Sequence, residues 1–431
     1  MTCEVSVLLP INRGLPWLPV AVRDVLKQDV DGKLELICSW DGGTEADWLW
    51  LLELKEALGE GATVVEAAGG GEGRPAKAEE DWDSAAMAPL LSATEVAKSR
   101  RRPDTAVKIV RYADRRNRGQ GAAMSLALAH AEGRFVAQME ADDARPRADA
   151  LKTAVRAIAE RGWDGACAEA FCFGSSVSPR MMAYCDWQNS LTEPTDLFRE
   201  RFVEIPALHQ TAVFPRAVVD AVLGDRGYRD GPAESDHGPD IDAPVDLWWW
   251  LSFFEKGFAC GRVVGRAGKH QDAPGSASSN APSASSGGPL TDPPADTFFG
   301  WRQHPGQRTR AQGRLALENL RRIKIHFLLR ASKPVDAILV LSVGATLRAW
   351  TTDLRHRTDI PVLAREWRPP KKVVVAQGGA FPVDATRASH DDDKTPGKRL
   401  LRLWAYGDAR VRARARAIAP DWLDDWDLFV A

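Results

Sequence analysis

Three carboxylates crowd into the segment QMEADD, as Glu140, Asp142 and Asp143. Residues 133–137 directly precede the segment and form a short apolar run that is typical of a buried strand. Ionised carboxylates this close repel one another, and burying them is costly without a positive partner. A divalent cation, Mg²⁺ or Mn²⁺, would supply that charge, because these ions prefer carboxylate and phosphate oxygens as ligands. A solvated acidic loop is the alternative interpretation of the triplet taken alone.

The spacing of polar residues strengthens the metal interpretation. Side chains alternate along a strand, so Glu140 and Asp142 face the same way if the extended conformation continues through them. Asn12 and Asp41 each follow an earlier predicted strand. Ligands of a doubly wound sheet bind beyond the carboxyl ends of its strands, so we expect all these side chains around one mouth. Asn and Asp also favour ordinary turns, which is the simpler explanation for either residue alone.

The elements that must position these residues alternate between strand and helix. We predict strands at residues 5–10, 34–40, 107–110 and 133–137, and helices near 18–28, 48–58 and 122–131. Such alternation with short turns is typical of an α/β protein with a doubly wound, mostly parallel sheet. Residues 67–105 mix glycine, proline and charged residues, and we interpret them as an insertion into a first domain of residues 1–271.

Composition indicates further parts beyond the first domain. Residues 272–296 are rich in Ser, Ala, Pro and Gly, which predicts a disordered linker. A basic amphipathic helix at 312–329 indicates a helical connector over residues 297–332. Strands at 337–341, 372–376 and 427–430 then predict a small C-terminal α/β domain of residues 333–431.

Overall composition argues against several broad classes of protein. The chain has 431 residues, 44% of them hydrophobic, which suffices for two or more domains. Its formal net charge is −2, so no overall field draws it to nucleic acid or membrane. No stretch approaches the roughly 18 apolar residues of a membrane-spanning helix, and no signal-peptide pattern is present. The 6 cysteines form no CxxC pair, so we expect reduced thiols in a cytoplasmic protein without membrane insertion.

Three motifs in chain order resemble the nucleotide-sugar half of the family 2 glycosyltransferases, which share the GT-A fold. They read VSVLLPINRG, ELICSWDGGT and NRGQGAAMSLALAHAEGRFVAQMEADD. The resemblance covers about residues 4–271 less the insertion, and it implies an enzyme that uses a UDP-sugar donor with Mn²⁺ or Mg²⁺. A P-loop is excluded, because the glycine run at 69–73 is not followed by GK[ST].

The resemblance also implies roles for single residues on the donor side. Asp41 would contact the uridine or its ribose, with Pro10 and Asn12 of the first motif on the same nucleotide-sugar side. A turn near the diphosphate would consist of Asn117, Arg118 and Gly119. Glu140 and Asp142 match the D-x-D metal pair, and Asp142 would also contact the nucleotide sugar. Two departures from the pattern are Glu140 in place of the first Asp and Trp40 where many relatives have a second acid.

The second half of the family pattern supplies a base for sugar transfer with inversion. The segment PVDLWWWL resembles the helix start that carries this base, with Val245 where relatives have Glu, and makes Asp246 the candidate. Asp246 could instead be an ordinary acid at a helix N-terminus, and Asp240 and Asp242 are rivals. His270 matches a histidine that contacts metal or diphosphate in relatives, although loop histidines are often only solvated.

Aromatic and histidine-bearing segments nearby are interpreted mainly as structure. Trp248, Trp249 and Trp250 span too wide an arc of a helix to face one ligand, so they are predicted to be mainly core. His209 and Gln210 precede a predicted strand and are candidates for the acceptor side.

Within the family, the chain is most similar to the β-1,3-N-acetylglucosaminyltransferase-like group, which includes enzymes that galactosylate queuosine in tRNA. This implies galactose or N-acetylglucosamine as the donor sugar and tRNA as a candidate acceptor. Basic clusters agree with a phosphate-rich partner, although a solvated helix surface explains them as well: Arg308, Arg310, Arg314, Arg321, Arg322, Lys324, Arg410, Arg412, Arg414 and Arg416. A protein or small glycan acceptor, a nucleotidyl transferase and a non-catalytic scaffold with the same fold are the alternatives.

Overall fold

The computed structural model describes residues 3–68, 89–228, 244–265, 292–307, 317–331, 334–367, 399–406, 409–418 and 427–431. The chain divides into two units. The first contains Met1–Leu197 and Ala207–Leu315, and the second contains Phe198–Pro206 and Ala316–Ala431.

Eight strands of the first unit form one sheet in the order β3-β4-β2-β1-β5-β8-β6-β9. All of its strand pairs are parallel except the two made by β8. Two further strands, β7 and β10, pair in parallel beside it. The strands are β1 Cys3–Ile11, β2 Lys33–Trp40, β3 Ala62–Ala67, β4 Ala106–Tyr112, β5 Phe135–Gln138, β6 Gly165–Ala168, β7 Ala170–Phe173, β8 Val213–Pro215, β9 Cys260–Val263 and β10 Phe299–Arg302. The predicted doubly wound, mostly parallel α/β sheet is confirmed.

Helices connect the parallel strands as the alternation predicted. Among the described residues before 266 they are α1 Leu18–Leu26, α2 Glu45–Leu58, α3 Ala93–Lys98, α4 Gln120–Ala129, α5 Ala150–Arg161, α6 Pro179–Ser190, α7 Pro194–Glu200, α8 Arg216–Leu223 and α9 Val245–Glu255. Helix α2 begins with a capping box in which Thr44 and Asp47 each bond the other's backbone N–H. The cap fixes where the chain turns from β2 into this helix.

The centre of the sheet explains why the polar strand ends meet. Strand β1 is buried on both faces from Val5 to Ile11, as expected for a central parallel strand. It lies between β2 and β5, with Ile11 opposite Trp40 and Leu8 opposite Gln138. The residues after β1, β2 and β5 therefore leave the sheet at the same edge.

The acidic segment follows the strand differently from the expected extended course. Strand β5 ends at Gln138, and the chain turns at residues 141–142. The strict alternation expected for Glu140 and Asp142 therefore does not apply, because the backbone is no longer extended there.

Part of the predicted insertion packs into the first unit. Helix α3 contacts α1 and α2, and it buries Ala93 and Val96. The indole Nε1 of Trp50 donates to the Leu91 carbonyl at 3.3 Å. Strand β3, which no sequence pattern indicated, ends at the start of this region, whereas residues 69–88 lie outside the described ranges.

The second unit has its own parallel sheet, in the order β12-β11-β13-β14. Its strands are β11 Ala337–Ser342, β12 Val362–Glu366, β13 Leu400–Ala405 and β14 Asp427–Val430, and its helices are α10 Leu317–Ala331, α11 Gly344–Arg355 and α12 Ala409–Ile418. The predicted strands at 337–341 and 427–430 are confirmed. The predicted strand at 372–376 and most of the linker at 272–296 lie outside the described residues. In the described part of the chain, no helix has the length and apolar character to span a bilayer.

The segment Phe198–Pro206 belongs to the second unit although it lies inside the predicted first domain. Lys324 of α10 is almost fully buried, and its Nζ donates to the carbonyls of Val203 at 2.9 Å and Ala431 at 2.8 Å. The backbone N–H of Ala431 also donates to the Phe202 carbonyl. These bonds hold the segment within the second unit.

Candidate active site

Asp41 joins the end of β2 to the turn that precedes α4. Its side chain is buried, and its two carboxylate oxygens accept the backbone N–H groups of Arg118 and Gly119, each at 2.8 Å. The Asn12 side chain donates to the Asp41 carbonyl at 2.8 Å, which ties in the end of β1. The structure thus brings together four residues that the sequence assigned to the nucleotide sugar. The implied contact of Asp41 with uridine stays a prediction.

The turn around Asn117 depends on glycine at two positions. Gly42 has φ +63°, and a Cβ there would lie 2.5 Å from the backbone nitrogen of Asn117. Gly119 has φ +92°, and its N–H also donates to the Asn117 side chain at 2.9 Å. Only glycine adopts these backbone angles without strain and leaves room for the close approach. Pro10, by contrast, is buried within β1, one residue before that strand ends.

Glu140 is held by the side-chain amides of three glutamines. Its Oε1 accepts from Gln120 at 2.7 Å, from Gln138, and from Gln210 at 3.5 Å. Gln120 is the first residue of α4, so this bond links the acidic loop to the turn at Asn117. The carboxylate of Glu140 is thus surrounded by neutral donors contributed by three different elements.

Asp142 meets a histidine from the far end of the first unit. The Nε2 of His304 lies 3.0 Å from Oδ2 of Asp142, and the imidazole is almost fully buried. Strand β10 positions His304, because its backbone bonds with Ala144, 2.8 and 3.0 Å long, join the Gly300 end of the strand to the acidic loop. His270 lies outside the described residues, so the structure does not test its role.

His304 is a residue of the candidate site that the sequence analysis missed. The segment TFFGWRQH carries the same signal used for Asp41, an apolar run followed by polar residues. Applying the strand-end rule there as well would have indicated it.

Asp143 anchors the acidic loop rather than facing the site. It is buried, and its Oδ1 accepts the Arg302 backbone N–H at 2.9 Å. Burial and the neighbouring Asp142 charge raise its pKa well above the ordinary carboxyl value. The Arg302 side chain donates from Nε to the Asp142 carbonyl at 2.7 Å. These contacts fix the backbone on both sides of the Asp142 carboxylate.

Asp142 and His304 supply a carboxylate oxygen and an imidazole nitrogen, which are donor types that bind divalent metal ions. In the structure the two side chains contact each other directly at 3.0 Å, as a hydrogen bond or ion pair. No cluster of three His, Cys, Asp or Glu side chains suited to a metal occurs within the described ranges. Water and substrate phosphate oxygens would complete the shell, as is usual for Mg²⁺ and similar ions.

Asp246 lies in the first turn of α9 and is half-buried. Its Oδ1 accepts the neighbouring Leu247 N–H at 2.9 Å. Trp249 and Trp250, by contrast, are buried and Trp248 is partly so, which confirms that these tryptophans are mainly core. The rival acids Asp240 and Asp242 lie outside the described residues.

An aromatic cluster connects α9 to the acidic loop. The His209 ring lies 4.6 Å from that of Trp249 and 5.7 Å from that of Phe214. Burial lowers the pKa of His209 to about 3, so the imidazole is neutral and part of the core. Its neighbour Gln210 reaches Glu140, and the Gln210 carbonyl accepts from the buried Arg145 at 2.6 Å. The cluster therefore holds the helix of Asp246 beside β8.

Comparison with known proteins assigns the central part of this sheet. Residues 94–223 match the family model described as Glycosyl transferase family 2. This segment of the chain is similar to the family 2 glycosyltransferases. The matched segment includes the Asn117–Gly119 turn, Glu140 and Asp142. Together with the mostly parallel sheet, it identifies the first unit as a GT-A fold and the protein as an enzyme of the glycosyltransferase type. No curated protein sequence matches the chain.

Several solved glycosyltransferase structures are similar at low identity. TarS residues 1–349 from S. aureus, in complex with UDP-GlcNAc, is 14% identical with a TM-score of 0.45, covering 77% of this chain and 68% of that one. Mannosyltransferase PcManGT from Pyrobaculum calidifontis, in complex with GDP-Man and Mn²⁺, is 14% identical with a TM-score of 0.37, covering 77% and 63%. Glucosyl-3-phosphoglycerate synthase from Mycobacterium tuberculosis, in complex with Mn²⁺, UDP and glucosyl-3-phosphoglycerate, is 13% identical with a TM-score of 0.37, covering 77% and 81%.

Proposed function

We propose that this protein is an inverting, metal-dependent glycosyltransferase that moves a sugar from a UDP-sugar to an acceptor hydroxyl. The observation that carries the proposal is the bond from Gln120 to Glu140. Gln120 follows the Asn117–Gly119 turn directly, so the bond joins a helix N-terminus to the loop that carries the Asp142–His304 pair. A diphosphate leaving group is stabilised by a helix N-terminus and by a bound divalent ion, and this arrangement places the N-terminus of α4 beside the two proposed ligands of that ion, Asp142 and His304.

The donor would lie across the carboxyl ends of β1, β2 and β5. The N-terminus of α4 favours a bound anion, because its first N–H groups and the helix dipole point toward it. Asp142 and His304 would hold the divalent ion that was predicted to bind Glu140, Asp142 and His270. Glu140 would instead support the site, because its carboxylate accepts hydrogen bonds from three glutamine amides. When bound, the ion offsets the negative charge that develops on the leaving phosphate.

Asp246 is proposed as the general base. The acceptor oxygen would form a bond to the anomeric carbon on the face opposite the departing UDP, which inverts that carbon. The bond between this carbon and the β-phosphate oxygen breaks, and its electron pair leaves with UDP. The hydroxyl proton passes to the Asp246 carboxylate. Asp246 is suited to this role because it is half-buried and lies in the first turn of a helix, where the helix dipole favours the ionised form that accepts a proton.

UDP release from a panel of UDP-sugars in the presence of Mn²⁺ tests this proposal. We expect Asp246→Asn to lower kcat by roughly 10²- to 10⁴-fold, because the base is lost while donor affinity is kept. Asp142→Asn should instead raise the Mn²⁺ concentration needed for half-maximal rate. Asp359→Asn, an exposed acid of the second unit, is the control. Unchanged rates in both site variants would contradict the proposal.

A narrower proposal concerns the acceptor. We propose cytoplasmic tRNA carrying queuosine, with galactose or N-acetylglucosamine as the donor sugar, on the strength of the subgroup resemblance. The six cysteines, all unbridged, agree with a reducing compartment. Two residues of the predicted basic clusters do not belong to the tRNA-facing surface, because they are buried. The Arg412 guanidinium donates to the Tyr406 carbonyl at 2.7 Å, and the Lys324 ammonium donates to two backbone carbonyls of the second unit.

Mass spectrometry of tRNA nucleosides from a deletion strain tests the acceptor, since the glycosylated nucleoside should disappear. Changing Arg410, Arg414 and Arg416 to Glu, with Arg412 kept, should weaken tRNA binding. The slope of the logarithm of the binding constant against the logarithm of the salt concentration should fall in magnitude by about one per lost phosphate contact. An unchanged nucleoside profile would favour a protein or small glycan acceptor instead.

A further inference from the structure

Trp17 packs against the histidine of the proposed metal pair. The two ring centroids are 4.1 Å apart, with an angle of 43° between the planes. Trp17 is half-buried in the loop between β1 and α1, whereas His304 follows β10. The imidazole of His304 therefore packs against the indole of Trp17, and its Nε2 lies beside the Asp142 carboxylate.

The loop that carries Trp17 is itself fixed against the acidic loop. A Cβ at Gly14 would lie 2.9 Å from the Cβ of Ala141, so the two loops are in direct contact at this glycine. The Leu15 N–H donates to the buried Asp47 carboxylate at 3.0 Å, and the Trp17 N–H donates to the Gly14 carbonyl at 3.1 Å. The indole is thus attached to a backbone held from two sides.

Trp17 also contacts the residue that fixes Asp142. The Arg302 guanidinium lies 5.6 Å from the Trp17 ring centre, while its Nε donates to the Asp142 carbonyl. The indole therefore packs against His304, which follows β10, and lies near Arg302, the last residue of that strand. Ring packing of this kind restricts the rotamers of the imidazole.

We propose that Trp17 is a positioning residue that holds the His304 imidazole with Nε2 toward Asp142. This inference rests on the proposed function, in which the pair binds a divalent ion. Removing the indole frees the imidazole to rotate, so the two ligands no longer keep their 3.0 Å separation. Residues that orient metal ligands typically change metal affinity about 10- to 100-fold when they are lost.

Titration of the full chain with Mn²⁺ alone, with free ion measured by electron paramagnetic resonance, tests the proposal. We expect Trp17→Leu to weaken Mn²⁺ binding about 10- to 100-fold and Trp17→Phe, which keeps an aromatic face, to restore most of it. Trp187→Leu is the matched control, because Trp187 is also half-buried but stacks on Tyr184 of α6. His304→Ala defines the full loss of the ligand.

A second measurement reports the ring itself and needs no metal. In protein labelled at histidine, the His304 ring signals are assigned by their loss in His304→Ala. The ring current of the nearby indole should shift these signals, so Trp17→Leu should move them and Trp187→Leu should not. Unmoved His304 signals in Trp17→Leu would overturn the proposal.

The two proposals fail in different ways. Wild-type Mn²⁺ affinity in Trp17→Leu, together with loss in His304→Ala, overturns only the role of Trp17. Equal affinity in wild type and His304→Ala overturns the metal role of His304, and the Trp17 proposal with it.

Discussion

At the scale of single residues, the first unit separates its stabilising acids from its proposed chemical ones. Glu35 lies on β2, in the sheet interior, and is buried. One of its oxygens accepts from Ser6 and from the Glu132 N–H at 2.6 Å, and the other pairs with Lys108 at 2.9 Å. Asp142 and Glu140 lie beyond the opposite, carboxyl end of the strands. The first group therefore bears on folding and the second on activity.

Glu35 makes the stability of the first unit depend on pH. Burial raises the Glu35 pKa, but the bonds from Lys108, Ser6 and Glu132 outweigh it, so the net pKa lies below the ordinary value. Its contribution is complete above the unfolded-state pKa of about 4.3 and is lost as pH falls through the folded-state pKa. We expect Glu35→Gln to cost about 1–3 kcal/mol at pH 7 and less at pH 3, measured by denaturant unfolding.

Glu132→Gln provides the matched control for Glu35. Glu132 also pairs with Lys108, at 2.7 Å, but its side chain is 74% exposed. Exposed ion pairs contribute about 0–1 kcal/mol, so this change should be nearly neutral. Equal losses for the two variants would contradict the assignment of Glu35 as the central acceptor.

At the scale of elements, sequence patterns predicted the features that are set by residues close together in the chain, such as strand ends and turns. Strand-end reasoning identified Asn12 and Asp41, and the family resemblance identified the turn before α4. The structure joins all three by hydrogen bonds. The glutamine amides around Glu140 come from α4, β5 and the segment before β8, and no local pattern encodes such a meeting. Strand β8 has only three residues, Val213–Pro215, which is too short for periodicity to reveal its antiparallel direction.

The capping box of α2 should matter beyond its own helix. Thr44→Ala removes the hydroxyl that accepts the Asp47 N–H and donates to the Asp47 carboxylate, and we expect it to cost about 1 kcal/mol. Asp47→Ala should cost more, about 2–3 kcal/mol, because Asp47 also accepts the Leu15 N–H of the Trp17 loop and is fully buried. Chemical denaturation measures both changes.

Helix α3 offers the control for this comparison. Ser92 and Glu95 form the same capping box there, but it is solvent-exposed. Ser92→Ala should resemble Thr44→Ala, and Glu95→Ala should not show the additional loss seen for Asp47→Ala. If Asp47→Ala and Glu95→Ala lower the free energy of unfolding by similar amounts, the hydrogen bond from the Leu15 N–H to Asp47 does not contribute to stability.

At the scale of the whole molecule, each of the two units has its own sheet and its own stabilising buried hydrogen bonds. In the second unit, the buried Lys324 ammonium satisfies the carbonyls of Val203 and Ala431. We expect Lys324→Met to cost this unit about 2–3 kcal/mol, because both carbonyls lose a charged donor. Hydrogen exchange should quicken at β11 and β14 while the amides of β1 and β2 stay protected.

Lys256→Met, an exposed lysine after α9, is the control for this change. Faster exchange in β1 and β2 of Lys324→Met would contradict the division into two separately stabilised units.

Because Phe198–Pro206 belongs to the second unit, the two units cannot be separated by truncating the chain at a single position. A protein ending at residue 315 would keep Phe202 and Val203, both 1% exposed in the intact fold, after losing the partners that cover them. Such a shortened enzyme should aggregate, and swapping its C-terminal half between homologues would require exchanging these nine residues too.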